Sequence, residues 1–334
     1  MAENDLIQQL DQAVEALLQD APAPATGPET TALLRLATHV RALPAEEFRK
    51  SLKTRLMTQA AKEKAKMTAT TQVNPQVNWI PKGFHTLTPY LHASAEAKLM
   101  DFLRDAFGAK ENFRVPTAIG TIMHAQTVIG DSIVEFSEVP DDYVCPRATS
   151  LRTYVHDVDA TYRRALEVGA TSLYEPVNQS YGDREAAIKD PAGNYWFIAR
   201  PVKGEHYKHE GLQDVAPYLF LRGTPAFIDF LQKAFAAEVI GRHETPDGTV
   251  LHSTVKIGDS FIGMGEAKGP WQPMPGGIHY YIPNVDEVYQ RALAAGAKSL
   301  QAPVDQPYGD RYAGVVDPQG NYWYLATHIK DFQP

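Results

Sequence analysis

The chain has 334 residues, 44% of them hydrophobic and 10% aromatic, which suits about two to three globular domains with sizeable cores. Its formal charge of −8 argues against a nucleic-acid partner, since phosphate neutralisation needs a basic surface or stripe. The start "MAENDLIQQLDQ" lacks the basic-then-apolar pattern of a secretion signal, no apolar run is long enough to span a membrane, and the single cysteine, Cys145, has no internal partner. The expectation is a cytoplasmic protein with neither membrane nor nucleic acid as partner.

Residues 1–66 read as helical. Leu6, Leu10, Val14, Leu17 and Leu18 form one stripe, and "APAPATGP" breaks it, because proline removes a donor and clashes with the preceding turn. Leu33, Leu36, Ala37, Val40 and Leu43 make a second stripe, and Phe48, Leu52 and Leu56 a third with a basic end that suits the helix dipole. Such helices would pack on one another, on a second copy in a homodimer, or on a protein partner. Residues 67–83, rich in Thr, Asn and Pro, read as a linker.

The remainder is written twice. Tyr90 and Tyr218, Phe107 and Phe235, and His124 and His252 each lie 128 residues apart; Tyr154 and Tyr281, Gly169 and Gly296, and Trp196 and Trp323 lie 127 apart. A near-constant offset over this length means two tandem copies of one unit, 84–200 and 214–330, joined by a linker at 201–213. Each copy reads as a β-α-β-β-β pattern used twice. "HTLTPYL" alternates as a strand, and "AEAKLMDFLRDAFGA" has Leu99, Phe102, Leu103 and Phe107 at helical spacing. "TIMHAQTVIGDSIVEFSE" is two strands joined through Gly130-Asp131, and "DATYRRALEVGA" is a helix stopped by Gly169. "DPAGN" is a turn with Pro191 at its second position and Gly193 in a left-handed conformation.

The repeated "YGDR…DPxGNxW", with "DFLRDAFGA", "IGDS" and "YVHDVDA" at their spacings, resembles the vicinal oxygen chelate superfamily in its PhnB-like, glyoxalase and bleomycin-resistance branch. The resemblance implies an α+β fold of paired βαβββ modules whose strands curl into open cups, preceded here by the helical segment. Metal-using members hold a divalent ion on four His, Glu or Gln side chains; others bind a drug without metal. The resemblance places those four positions at Thr88, Glu135, Ser150 and Phe197 in the first copy and at Ala216, Gly263, Gly277 and Tyr324 in the second. Only Glu135 among them is a competent ligand, so no metal and no other cofactor is expected at the usual site. A divalent ion on Glu135, His124 and His92 is the remaining metal reading.

Strand alternation puts Tyr90 and His92 on the face of Thr88, and Tyr218 and Phe220 on the face of Ala216. Arg152 and Tyr154 follow Ser150; His279 and Tyr281 follow Gly277 in the same way. Glu135, His124 and His279 are the candidate acids and bases. Tyr90, His92, Gln126, Arg152, Tyr154, Phe197, Tyr218, His252, Trp271, Tyr281 and Tyr324 are the candidate ligand contacts. Repeated histidines and repeated Asp183-Arg184 and Asp310-Arg311 pairs also fit structural roles, as histidine–backbone bonds and local turn ion pairs. "HYKH" (206–209) reads as solvated linker, and Trp271 and Met274 in "GPWQPMPGG" as covers of the second cup. Three functions follow: binding of a small, largely aromatic molecule; an isomerase, lyase or dioxygenase-type enzyme using Glu135 and nearby histidines; or a ligand-sensing regulator acting through the N-terminal helices. Whether modules from the two copies combine stays open.

Overall fold

The computed structural model describes residues 77–331, so the helical stripes of 1–66, and the dimer or partner contacts expected of them, lie outside the described residues. In the first copy the order is β1 (Leu87–Ala93), α1 (Leu99–Phe107), β2 (Lys110–Pro116), β3 (Ile122–Ile129), β4 (Ser132–Glu138), then β5 (Ser150–Tyr154), α2 (Val158–Glu167), β6 (Thr171–Asn178), β7 (Asp183–Lys189) and β8 (Tyr195–Pro201). The second copy repeats it: β9 (Val215–Leu221), α3 (Thr224–Phe235), β10 (Glu238–Glu244), β11 (Val250–Ile257), β12 (Ser260–Glu266), then β13 (Gly277–Tyr281), α4 (Val285–Ala294), β14 (Lys298–Asp305), β15 (Asp310–Val316) and β16 (Tyr322–His328). The doubled βαβββ pattern is as the periodicity predicts, and the α+β class is as the resemblance implies.

The helices follow from their own residues. Helix α1 buries Leu99, Phe102, Leu103 and Ala106 on one stripe and stops at Gly108, whose φ of 70° suits a residue without Cβ. Helix α2 is capped by Asp157, which accepts from Ala160 N at 2.9 Å, and α4 by Asn284, which accepts from Glu287 N at 3.2 Å.

The two sheets do not follow the two copies. One runs β14-β15-β16-β13-β1-β4-β3-β2 and the other β10-β11-β12-β9-β5-β8-β7-β6. Each sheet therefore joins one module from each copy. The seams are antiparallel: Thr88 faces His279 across β1 and β13, and Arg152 faces Ala216 across β5 and β9. This corrects the grouping of the four usual positions. Thr88, Glu135, Gly277 and Tyr324 share the first sheet; Ser150, Phe197, Ala216 and Gly263 share the second.

Two repeated motifs make this arrangement hold. At each "IGDS" turn, the aspartate and serine grip the first strand of the other copy. Asp131 Oδ1 accepts from Asp214 N at 2.8 Å and Ser132 Oγ from Val215 N at 3.0 Å; Asp259 Oδ1 accepts from Thr86 N at 2.8 Å and Ser260 Oγ from Leu87 N at 2.9 Å. Gly130 is required there on two grounds: its φ is +60°, and a Cβ would stand 1.7 Å from Asp214 Oδ2. Lys208 Nζ bonds both Asp131 and Asp214, so one positive charge offsets part of their mutual repulsion.

The "DPxGNxW" motif ties a hairpin to the core. Buried Asp190 accepts from Asn194 N, Asn194 Nδ2 and Trp196 Nε1, each at 2.9 Å; Asp317 does the same with Asn321 and Trp323. Asn194 Oδ1 then accepts from Thr149 N and Asn321 Oδ1 from Gly276 N, which fixes the strands that carry Ser150 and Gly277. The tryptophans are fully buried, with Phe107 4.6 Å from Trp196 and Phe235 4.5 Å from Trp323. Removing either indole would cost about 3–5 kcal/mol through lost burial and the cavity left.

Candidate functional sites in two unlike cups

The first cup is lined from β1, β3, β4, β13, β15 and β16. Glu135, 1% exposed, is its centre. Its Oε2 lies 2.7 Å from His279 Nδ1, and its Oε1 accepts from Gln126 Nε2 at 3.3 Å and stands 3.5 Å from His124 Nε2. An ionised carboxylate only accepts, so His279 Nδ1 carries the proton of that bond. Burial disfavours the His279 imidazolium, but the charge and hydrogen bond of Glu135 outweigh it and raise the pKa above the usual value. His279 Nε2 is buried and has no hydrogen-bond partner. Tyr281 stacks on the imidazole at 4.4 Å and donates to Asp310 Oδ2 at 3.2 Å.

His92 belongs to a separate group. Its Nδ1 meets the Pro146 carbonyl at 3.1 Å, and a carbonyl only accepts, so Nε2 is the bare nitrogen and accepts from Tyr324 OH at 2.9 Å. Desolvation lowers its pKa to about 4, so it is neutral. His124 is also held neutral by burial, and its Nδ1 lies 3.2 Å from Tyr90 OH, which also bonds Ser137 Oγ. His92 is engaged by Tyr324 and Pro146 and not by Glu135, and among the described residues no group of three His, Cys, Asp or Glu side chains is arranged to hold an ion.

The second cup is lined from β5–β8, β9, β11 and the loop before β13. Phe197 packs 5.2 Å from Tyr218, 5.7 Å from Phe220 and 5.5 Å from Trp271. Trp271 lies parallel to Phe220 at 5.0 Å and 6.5 Å from Tyr174. Met274, beyond it, is buried and pairs with Phe220 through the backbone. His252 stacks on Tyr218, with Nδ1 3.0 Å from its hydroxyl, and burial lowers the His252 pKa to about 4. The repeated His124 and His252 thus bond tyrosine hydroxyls and not backbone, which corrects the structural expectation.

Beside the aromatic cluster lies a buried ionic group. Arg152 bonds Asp183 and stands 3.0 Å from Glu185 Oε2. Glu185 Oε1 accepts from Tyr174 OH and from Tyr181 OH at 2.7 Å, and Asp183 Oδ1 lies 2.7 Å from His209 Nε2. Arg152 Nε, like His279 Nε2, is buried without a partner. Tyr154 sits under the guanidinium at 5.3 Å. A surface cleft of about 520 Å³ opens outside this group, with Tyr181, His209, Lys203, His206 and Lys208 on its wall. None of the clustered aromatic rings lines that cleft.

Two local readings change. Asp183 and Arg184 do not pair with each other: Arg184 reaches Asp159, and Arg311 reaches Asp286 and Asp305, while Asp183 and Asp310 turn towards the cups. Alternation along β7 and β15 sends successive side chains to opposite faces. Nor is "HYKH" merely solvated, since Tyr207, Lys208 and His209 bond Asp214, Asp131 and Asp183; only His206 is left exposed without such a contact. Cys145 is half-buried and burial pushes its thiol pKa up, which is the wrong direction for a nucleophile.

Every candidate residue thus lies in one of the two cups. Glu135, His124, His279, Tyr90, His92, Gln126, Tyr281 and Tyr324 meet in the first, and Arg152, Tyr154, Phe197, Tyr218, His252 and Trp271 in the second. The sequence reading missed Ser137, Tyr174 and Glu185; it put Phe220 on the cup face without making it a ligand contact, and it read Asp310 as a turn residue. Glu185 and Asp310 were within reach, because Asp310 lies in the repeated "YGDR" and Glu185 directly follows its first copy, each next to the outward-facing Arg311 or Arg184 on its strand.

Among the described residues no helix is long and apolar enough to cross a membrane. An uncharacterized protein of Mycobacterium bovis is 36% identical over 128 residues, covering 35% of this chain and 84% of that protein. An uncharacterized protein of Mycobacterium tuberculosis is also 36% identical, over 35% of this chain and 75% of its own length. Glyoxalase I from Zea mays superposes with a TM-score of 0.54 at 15% identity, covering 72% of this chain and 92% of that one. A putative dioxygenase from Bacillus subtilis superposes at 0.51 and 16% identity, covering 73% and 85%. These two likenesses speak for the fold. The sequence model of the Glyoxalase/Bleomycin resistance protein/Dioxygenase superfamily matches residues 94–198 and 215–325, well over half of the chain, and the protein belongs to that superfamily as a tandem member.

Proposed function

We propose that this protein binds a small, largely aromatic organic molecule in its cups, with no metal at the superfamily's usual positions. The carrying observation is the cluster of Phe197, Tyr218, Phe220 and Trp271, which offers flat apolar surface beside a few fixed polar groups. The donor sets support the same reading. Beside Thr88, Gly277 and Tyr324, Glu135 is the one competent ligand among the usual positions of the first cup, while Ser150, Phe197, Ala216 and Gly263 bring neither carboxylate nor imidazole to those of the second. A single carboxylate gives too few preorganised ligands for a tightly held first-row ion.

The test titrates 1-naphthol while following tryptophan fluorescence, with elemental analysis of protein purified without a chelating tag. Quenching that disappears in Trp271→Phe, and substoichiometric metal, are expected. Stoichiometric zinc, nickel, manganese or iron that is lost in Glu135→Ala would overturn the metal-free reading.

One contact favours a second reading, an acid–base enzyme in the first cup. Glu135 fixes His279 through Nδ1 and leaves Nε2 bare of partners, as a carboxylate does when it orients a catalytic imidazole. In that reading Glu135 is the positioning residue and His279 exchanges the proton with substrate. A turnover whose pH profile shifts in Glu135→Gln and vanishes in His279→Gln would establish it; equal loss of stability without any shift in profile would count against it.

A further inference from the structure

Arg152 and His279 occupy the same position of the repeat, 127 residues apart, on β5 and β13. Each faces the register partner of its seam, Ala216 or Thr88, and each pairs in parallel register with an aromatic residue, Phe197 or Tyr324. Each is a cationic or cation-capable side chain anchored to buried carboxylate: Arg152 to Asp183 and Glu185, His279 to Glu135. Each is left with one buried nitrogen that bonds nothing in the protein, Arg152 Nε and His279 Nε2. A buried unpaired donor costs roughly 1–3 kcal/mol, so two at equivalent positions of diverged copies call for an explanation.

We propose that these two nitrogens are the polar anchors of the two cups, each donating to an acceptor oxygen, carbonyl or carboxylate, on an aromatic ligand. The assignment rests on the reading that the cups hold aromatic compounds and adds the group such compounds must carry. Guanidinium Nε always bears hydrogen, so the second cup presents a permanent donor. In the first, the carboxylate on Nδ1 favours the imidazolium form, in which Nε2–H also donates. Each cation already has at least one carboxylate, so a neutral carbonyl fits without an unpaired cation. An ammonium group has no place there, since it has only N–H donors to set against N–H donors.

The experiment compares acetophenone, benzoate and α-methylstyrene, the last having acetophenone's shape with a methylene group in place of the carbonyl oxygen. Calorimetry counts the sites, and Trp271 fluorescence reports the second cup separately. Acetophenone should bind about tenfold more tightly than α-methylstyrene, because rejecting a ligand that leaves a buried donor unpaired is where hydrogen-bonding sites discriminate best. Arg152→Lys keeps the cation but lacks the Nε donor, and it should erase that preference in the fluorescence titration. His279→Gln should erase it for the other calorimetric site. Benzoate above or below acetophenone decides between carboxylate and carbonyl, and either order supports an acceptor oxygen. If α-methylstyrene binds as well as acetophenone, the anchors are wrong while the aromatic reading stands. If none of the three binds, both readings fall.

Discussion

The two cups are built on one plan and furnished differently. Position for position, Glu135 of the first becomes Gly263 of the second, His92 becomes Phe220, His279 becomes Arg152, and Tyr312 becomes Glu185. Each cup thus keeps a buried carboxylate beside its cationic anchor, but the carboxylate has moved from β4 in one to β7 in the other. Tyr218 fills the vacated place: a Cβ at Gly263 would stand 2.5 Å from its ring. The scaffold motifs, in contrast, are preserved in both, down to the bonds of Asp190 and Asp317. Duplication has held the frame fixed while the linings diverged, one towards titratable groups and the other towards stacked rings.

The sharpest way to break that comparison is to put the first cup's carboxylate into the second. Gly263→Glu must displace Tyr218 and bury a third carboxylate near Arg152, which Asp183 and Glu185 already engage, so it should cost on the order of 3–5 kcal/mol. The fall in urea midpoint would show this. Pairing it with Tyr218→Ala should recover part of the loss, because the double substitution opens the space the ring occupied. An unchanged midpoint in the single variant would mean that the two linings are interchangeable.

Next in size is a test of the shared frame. Asp190→Ala and Asp317→Ala each leave an indole N–H and asparagine donors without their acceptor, and each should cost roughly 2–4 kcal/mol. The two losses should agree within about 1 kcal/mol, since the bonds from asparagine and tryptophan match in length to within the usual scatter and Asp317 accepts only one more, from Gln319 N at 2.9 Å. A large inequality in thermal unfolding would show that one module bears more of the common core than the other.

How much of this could be read from residues alone differs between frame and lining. The offset of 128 and then 127 places Phe107 with Phe235 and Trp196 with Trp323, and each phenylalanine does pack on its own tryptophan. Helix ends were legible too, because Gly169 has a positive φ that few other residues adopt without strain. The exchange of modules was not legible. All four modules carry the same strand pattern, and only the grip of Asp131 on Asp214 and of Asp259 on Thr86 decides which edges meet. The contact of Glu135 with His279, 144 residues away, follows from that exchange. The repeat assigned them to different copies, and only long-range pairing brings them together.

The smallest expected effect concerns protons and separates the cups' histidines by sign. His92 and His252 are buried neutral, with pKa values lowered to about 4 from an ordinary 6.5. The unfolded chain binds their protons first, so their contribution is full above pH 6.5 and is lost as pH falls through about 4. His279 runs the other way: its raised pKa adds stability below pH 6.5 that fades as pH rises through the folded value. His92 faces Tyr324 and Tyr90 with the Pro146 carbonyl, and Arg147 nearby further disfavours its cation, so no carboxylate rescues the protonated form. Urea midpoints measured from pH 7 to pH 4 should therefore fall, with on the order of 2 kcal/mol of the change belonging to His92. His92→Gln keeps a side-chain acceptor for Tyr324 and should flatten that part of the slope, while His279→Gln should steepen it. A His92→Gln variant with the slope of the parent would mean that His92 takes up its proton at the same pH folded and unfolded, and that the neutral imidazole is not what holds Tyr324 in the cup.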